Sequence, residues 1–205
     1  MLALGALSFI AVQVGDLDSA LKAGRQAAQI TACVPGATAR FVSYNLTFVL
    51  IEAGDVAAAD HVSAESLARS REAGDLWNQV GLLPVMVLLD LEAGRIQDAA
   101  VHLRELLQLT MRTGDWLSVC DNLDCCGHLC AATGRFVEAL TAWAAMFALK
   151  EHDKIQDMPA DARRRDTPLR RVRHALGPAR ARAAEERGAA TQCHEPGDLV
   201  LSGVS

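Results

Sequence analysis

A short phrase recurs four times along the chain at a nearly constant spacing. It reads GDLDSA from Gly15, GDVAAA from Gly54, GRIQDA from Gly94 and GRFVEA from Gly134, at intervals of 39, 40 and 40 residues. Each glycine is followed by an apolar residue two places later and by an alanine five places later. A repeat of this length is typical of stacked helix pairs. The chain is therefore predicted to be a helical-repeat array in which each unit packs on its neighbours.

Each repeat predicts two antiparallel helices with the glycine between them, because glycine adopts a positive φ cheaply where a helix ends. The predicted first helices are 2–14, 38–53, 76–93 and 116–133, and the predicted second helices are 17–32, 56–73, 96–112 and 136–150. Further breaks at Pro35-Gly36, Gly74-Asp75 and Gly114-Asp115 separate the units. Short loops make neighbouring helices antiparallel. The predicted fold class is an all-α, antiparallel helix-pair solenoid of about four repeats.

The repeat ends near residue 150, and a basic segment follows. Nine arginines lie between Arg163 and Arg187. Helix starts are predicted at Pro159 and at Thr167-Pro168, and a stop and restart at Gly177-Pro178. A repeat array needs a polar end, so residues 151–190 are predicted to form a helical cap on repeats 1–150. Phosphate binding by the arginines is the alternative. Residues 191–205 show no helical pattern and are expected to be disordered.

Charge and cysteine content restrict the function further. The net charge of −5 argues against a chain-wide attraction to nucleic acid. Four of the six cysteines fall within 120–130, unlike a spaced disulfide framework, so reduced thiols and a cytoplasmic location are expected. The apolar opening lacks a basic start and fits the first repeat, with a targeting segment as the alternative. No apolar run approaches the ~20 residues that a membrane helix needs.

The glycine, the apolar residue and the alanine in this spacing resemble tetratricopeptide repeats, in a longer form that covers residues 1–150. The stretch GRFVEALTAWAAMFALKE, with PADARRRDTPLRRVRHALGPARARAAEERGAA after it, is similar to the end of the repeat region in large actinobacterial LuxR-type regulators. Those chains join an ATPase, a repeat region and a DNA-binding helix-turn-helix. The resemblance implies a protein-interaction or signal-receiving module of an ATP-dependent transcriptional regulator.

Two motifs of such regulators do not occur in this sequence. It contains no G-x-x-x-x-G-K-[ST] phosphate loop and no recognisable helix-turn-helix. The sequence therefore predicts a piece of a regulator that lacks the ATPase and the DNA-binding part. Neither ATP hydrolysis nor direct, specific nucleic-acid binding is expected of it.

Apolar residues on the first helices are the main candidates for binding. They are expected to line the concave side of the array, and they are Phe41, Tyr44, Phe48, Ile51, Leu88 and Leu91. Aromatic anchors in a groove suit an amphipathic helix or a small apolar ligand. The predicted partner is a protein or a domain of the parent regulator, with a small apolar effector as the alternative. If neighbouring helices bury these residues instead, neither a protein partner nor a small effector could bind them.

A polar group on the last first-helix is the second candidate. Asp121, Asp124 and His128 share one helix face. Carboxylates beside a histidine can perform acid–base catalysis, but no nucleophile or oxyanion donor accompanies them. We interpret Asp124 and His128 as a partner-binding face, and an enzyme is the alternative.

The cysteines on the same helix invite a zinc interpretation. Cys126 and Cys130 share the apolar stripe of Leu123, whereas Cys125 and His128 point elsewhere, so four ligands cannot converge from one helix. The sequence predicts cysteines packed in the core, and it predicts no metal or other cofactor.

Overall fold

The computed structural model describes residues 2–31, 37–114 and 118–191. Within these ranges the chain forms ten α-helices and no β-strand. The helices are α1 (Leu2–Gln13), α2 (Leu17–Thr31), α3 (Ala37–Glu52), α4 (Val56–Glu72), α5 (Leu76–Glu92), α6 (Ile96–Thr113), α7 (Ser118–Ala132), α8 (Phe136–His152), α9 (Pro159–Leu176) and α10 (Pro178–Ala189). The bounds of α1 to α8 lie within two residues of the predicted bounds, which confirms the helix-pair prediction. Residues 192–205 and the break at Pro35-Gly36 lie outside the described residues.

The four repeated glycines occupy equivalent bends. Their φ angles are +81° at Gly15, +77° at Gly54, +73° at Gly94 and +78° at Gly134. The backbone N–H of the residue after each glycine donates to a carbonyl five residues earlier, at 2.7 to 2.9 Å. This hydrogen bond closes a Schellman motif, in which the left-handed residue lets the chain leave the helix. The same turn therefore ends α1, α3, α5 and α7.

The repeated alanines are buried where each second helix begins. Ala20, Ala59, Ala99 and Ala139 are all 0% exposed. A methyl group at this position lets two helix backbones approach at the short end of the ~8–10 Å range for packed helices. Helix packing therefore requires a small residue at the alanine position, and the turn requires a positive φ at the glycine position.

The chain divides into two compact units, and the first is Met1–Leu89. In it α1 packs against α2 and α3, and α3 packs against α2 and α4. One buried cluster joins Leu46 and Leu50 of α3 to Ala59 of α4 and Val85 of α5. Phe48 of α3 packs against this core.

The second unit, Asp90–Ser205, is built around α8. Helices α7, α9 and α10 all pack against it. Trp143 and Met146 of α8 are fully buried in a cluster with Val172 of α9 and Ala184 of α10. The two helices of the basic segment therefore cover α8.

One predicted boundary in the basic segment is wrong. No helix starts at Thr167-Pro168, because α9 runs without interruption through Pro168. A proline removes one backbone donor from a helix. Arg165 and Val172 are buried on either side of it, so α9 is held on both sides of the defect. The predicted stop and restart is confirmed, since Gly177 ends α9 at a φ of +72° and Pro178 begins α10.

No helix in the described part of the chain is both long enough and apolar enough to cross a bilayer.

Candidate functional site

Three aromatic side chains meet on neighbouring first helices, and we call Tyr44, Phe48 and Trp77 the aromatic cluster. The rings of Tyr44 and Phe48 make an edge-to-face contact with centroids 4.9 Å apart. The Trp77 ring of α5 lies 6.2 Å from the Tyr44 ring. A Cβ atom at Gly81 would lie only 2.9 Å from Cε2 of Tyr44, so the glycine lets that ring lie against α5. The cluster therefore joins α3 to α5.

The cluster is firmly held at its base and open at its top. Phe48 is half-buried and packs against the core cluster that contains Leu46 and Leu50. Trp77 is 61% exposed, which makes it one of the most exposed large apolar side chains among the described residues. A rigid aromatic side chain held at the surface is the usual form of an anchor for a binding partner.

The other predicted residues of this surface lie in different surroundings. Ile51 packs against the same core cluster as Phe48. Leu88 is half-buried in the first unit, and Leu91 is half-buried in the second. The side chain of Phe41 lies outside the described residues. The structure thus brings Tyr44 and Phe48 together and adds Trp77, and the binding role of the whole set stays a prediction.

Asp124 belongs to a partly buried group of four charged side chains and one tryptophan, which we call the ion cluster. It consists of Asp124, Trp143, Lys150, Asp157 and Arg165. Oδ1 of Asp124 accepts hydrogen bonds from Nε1 of Trp143 and from Nη1 of Arg165, both at 2.9 Å. Arg165 also pairs with Asp157, and Nζ of Lys150 donates to Oδ1 of Asp157 at 2.6 Å. The ion cluster ties α7, α8 and α9 together.

Arg165 is the centre of the ion cluster. It is only 2% exposed, its guanidinium lies 5.2 Å from the centroid of the Phe147 ring, and its Nη1 is 3.6 Å from Sδ of Met146. Burial disfavours its charge, but the carboxylates of Asp124 and Asp157 hold its pKa above the ordinary value. Burial likewise opposes the charge of Asp157, yet the bonds it accepts lower its pKa overall. Arg165 and Asp157 therefore remain charged near neutral pH.

His128 lies beside Asp124, as the sequence predicted, but it is buried. Its Nε2 is 3.7 Å from Oδ1 of Asp124, too far for a good hydrogen bond, and has no hydrogen-bond partner within the described ranges. The ring stands edge to face against Trp143, with centroids 5.4 Å apart. Burial lowers the pKa of His128, with Asp124 opposing and Arg165 adding to the shift. The imidazole is therefore neutral near pH 7.

The lowered pKa of His128 predicts acid sensitivity. Below its ordinary pKa of 6.5 the histidine of the unfolded chain takes up a proton, while that of the folded chain resists. The free energy of unfolding should therefore fall as the pH drops from 7 to 5, by up to about 1.4 kcal/mol per pH unit. Denaturant titrations of the wild type and of His128→Gln measure this slope.

The exposed His152 supplies the control for that experiment. His152→Gln should keep the slope of the wild type between pH 7 and 5, whereas His128→Gln should flatten it. Equal slopes for the wild type and His128→Gln would show that His128 is not responsible.

None of the four cysteines of α7 forms a disulfide bond. Cys120 and Cys125 are buried, and Cys126 and Cys130 are half-buried. Burial raises the pKa of Cys126 to about 12 and also raises those of Cys125 and Cys130. Such thiols are protonated at neutral pH and pack as small hydrophobic groups. Cys125 is more deeply buried than Cys126, the reverse of the predicted stripe.

Within the described ranges, no three histidine, cysteine or acidic side chains converge as a metal site would require. Cys33 and Cys193 lie outside those ranges.

Several arginines of α9 and α10 are used inside the fold. Arg171 donates to the carbonyl of Ala131 at 3.0 Å, at the end of α7. Arg173 pairs with Glu185 at 2.8 Å and so joins α9 to α10. Arg180, Arg182 and Arg187 are exposed on α10. The basic segment thus contributes both internal contacts and a charged outer surface.

The fold is similar to that of a known protein structure. No protein-family model matches the sequence, and no curated protein matches it either. The chain is similar to the crystal structure of nearly identical TPR-like repeats of a putative kinesin light chain from Podosopora anserina. The TM-score is 0.61 at 17% identity, over 93% of this chain and 94% of that one. The chain therefore has a tetratricopeptide-like helical-repeat fold.

Proposed function

We propose that this chain is a protein-interaction module that binds an apolar, helical segment of its partner through the aromatic cluster. The observation that supports this most is Trp77, which is 61% exposed beside Tyr44. A tetratricopeptide-like fold is consistent with an interaction scaffold. An exposed tryptophan supported by a packed ring supplies a large contact area at low conformational entropy.

The chemistry around the aromatic cluster favours an apolar partner. Neither α3 between Phe41 and Ile51 nor α5 between Trp77 and Leu89 carries a charged residue. Recognition here must come from burial of apolar area rather than from ion pairs. An amphipathic helix fits such a surface, because its apolar residues three and four positions apart can straddle two parallel rows of side chains.

The sequence similarity of residues 134–190 supports a place for this module in an ATP-dependent transcriptional regulator of the LuxR type. In that setting the repeats of residues 1–150 would receive a segment of the parent regulator or of a signalling partner in the cytoplasm. Residues 151–190 would close the array, and residues 191–205 would form a tail. The packing of α9 and α10 on α8 supports the closing role.

Substitution of Trp77 tests the proposed binding surface. Helical peptides selected from a library on the wild-type chain should bind Trp77→Ser at least about 30-fold more weakly, because loss of a central aromatic anchor removes 2 kcal/mol or more. Isothermal titration calorimetry of each selected peptide measures the change. Phe48 is a poorer probe, since it is part of the core.

A matched control tests whether peptide binding depends on the aromatic cluster or on any exposed apolar residue. Val101 of α6 is 53% exposed and apolar, so Val101→Ser should bind the same peptides as the wild type does. Selected peptides that bind Trp77→Ser with full affinity would contradict the proposal. A chain that binds no helical peptide, but whose tryptophan fluorescence responds to a small apolar molecule, would favour the ligand-sensing alternative.

A further inference from the structure

The outer side of α9 is a basic surface, which we call the α9 face. It is formed by five exposed residues, which are Arg163, Thr167, Arg170, Arg171 and His174. Residues at these spacings share one side of a helix. The opposite side of α9 carries the buried residues Arg165 and Val172, so the α9 face points away from the fold.

The net charge of −5 hides an uneven distribution of charge along the chain. Residues 159–190 contain nine basic and four acidic residues, which gives them a net charge of +5. Residues 1–158 contain eleven basic and nineteen acidic residues, which gives them a net charge of −8. A helical cap needs a polar surface to stay soluble, but interspersed charges of both signs meet that need. The excess of positive charge on the last two helices therefore indicates an anionic partner.

Two arginines of the α9 face are held in position and keep donors for a ligand. Nη2 of Arg171 donates to the carbonyl oxygen of Ala131 at 3.0 Å, and Nη2 of Arg170 lies 2.9 Å from Oδ2 of Asp166. A guanidinium has five N–H donors, and these contacts use only part of them. The Ala131 carbonyl is neutral, so it does not cancel the charge of Arg171. A planar guanidinium held in this way can bind phosphate oxygens through two parallel hydrogen bonds.

We propose that the α9 face binds the phosphate backbone of duplex nucleic acid, independently of the base sequence. Arginine and threonine side chains are common contacts of phosphate oxygens. Residues 159–190 contain arginine and no lysine, in keeping with bidentate phosphate binding. Neither asparagine nor glutamine, the usual partners of adenine, occurs in α9. The α9 face is thus suited to the backbone of nucleic acid rather than to its base edges.

An acidic protein segment or a membrane fits the α9 face less well. Protein interfaces have an apolar centre that is depleted of charged residues, and the α9 face contains no apolar residue. Helices that lie in the membrane surface insert apolar side chains into the lipid. No large hydrophobic side chain of α9 or α10 is exposed. A nucleic acid backbone, in contrast, is bound mainly through charge.

The length of the α9 face sets the expected strength of binding. His174 lies eleven positions after Arg163, which corresponds to about 16 Å along a helix. We expect about three phosphate contacts, so the logarithm of the association constant should fall against log[NaCl] with a slope of about −2.7. Because residues 1–158 repel the duplex, we expect a dissociation constant of about 10–100 µM at about 50 mM NaCl.

Substitution of two arginines tests the α9 face. Fluorescence anisotropy of a labelled duplex DNA of about 20 base pairs and mixed sequence, titrated with the full chain at about 50 to 200 mM NaCl, measures affinity and slope. Arg163→Gln/Arg170→Gln should bind at least about 10-fold more weakly at the lowest salt, with a slope near about −0.9, because each lost phosphate contact removes about one unit of slope. Both residues are exposed, so the variant should fold normally, and circular dichroism verifies this.

A matched control on α6 tests whether binding depends on the α9 face or on the net charge of the chain. Arg104 and Arg112 are also exposed. Arg104→Gln/Arg112→Gln changes the net charge by the same amount and should bind the duplex like the wild type. Trp77→Ser should also bind the duplex like the wild type, so this result is independent of peptide binding at the aromatic cluster.

Three outcomes would overturn the proposal. The first is a wild-type chain that shows no binding up to about 300 µM at about 50 mM NaCl. The second is equal weakening of binding in the two double variants. The third is displacement of the labelled duplex by polyglutamate or by phosphatidylserine vesicles as effectively, at equal charge concentration, as by unlabelled duplex. That result would make an acidic protein or a membrane the occupant.

Discussion

Arg165→Ala is expected to lower the free energy of unfolding by about 3 kcal/mol, the low end for a buried ion pair, because it leaves two partly buried carboxylates without their buried cation. Among the described residues, Asp124 would keep its hydrogen bond from Trp143, and Asp157 would keep its hydrogen bond from Lys150. The truncation also removes the guanidinium from the Phe147 ring. Helix α9 would lose its ion pair with Asp124 of α7 and keep the hydrogen bond from Arg171 to the Ala131 carbonyl. Chemical denaturation followed by circular dichroism measures the loss.

The same helix provides a control for Arg165→Ala. Arg170 pairs with Asp166 at 2.9 Å, but both side chains are more than half exposed. Arg170→Ala should therefore change the free energy of unfolding by only about 0–1 kcal/mol. Asp124→Asn combined with Arg165→Ala should be less destabilised than the sum of the single variants, since the two side chains interact directly. Similar losses for Arg165→Ala and Arg170→Ala would contradict a special role for burial.

The repeat could be predicted from the sequence because each of its positions has one local physical requirement. The glycine must adopt a positive φ, and the alanine must fit where two helices touch; both requirements are visible in the residue type. They fixed the helix bounds of α1 to α8 closely. In the basic segment the local signal fails, because Pro168 has the residue type of a first helical turn although α9 continues through it.

The ion cluster could not be predicted because it depends on contacts between distant parts of the chain. Nine arginines of the basic segment look alike in sequence, and only the packing of α9 on α7 and α8 selects Arg165 for burial. The same packing gives Asp124 a role inside the fold. The sequence provides no signal for this pairing beyond the presence of opposite charges.

Trp77 was missed for a different reason. It lies near the start of α5, whereas the predicted binding residues of this helix, Leu88 and Leu91, lie near its end. The spacing of Trp77, Gly81, Pro84 and Leu88 follows one helix face and was available as a signal. The exposure of the indole, in contrast, depends on how α5 sits against α3 and could only come from the structure.

Gly127 of α7 lies directly against the indole of Trp143. In the structure, the atoms nearest to a Cβ built on Gly127 all belong to the indole of Trp143, well inside contact distance. Trp143 is 0% exposed and is held by its hydrogen bond to Asp124, so the ring cannot move aside.

Gly127→Ala should therefore destabilise the fold, although the same change at an open helix position stabilises by about 1 kcal/mol. Overpacking against a fixed ring costs about 1–3 kcal/mol or more, and we expect a net loss of about 2 kcal/mol. Thermal unfolding should show a fall in Tm of about 4–8 °C, given about 2–4 °C per kcal/mol for a chain of this size.

Trp143→Phe tests whether contact with the indole causes the loss of stability in Gly127→Ala. Phenylalanine lacks the five-membered ring that occupies the space beside Gly127. By itself Trp143→Phe should destabilise, since it opens a cavity and leaves Asp124 one bond short. In that background, however, Gly127→Ala should be neutral or stabilising, since the added methyl group fills vacated space and the helix gains from losing a glycine. An equal loss from Gly127→Ala in both backgrounds would show that backbone effects, and not the indole, require glycine at this position.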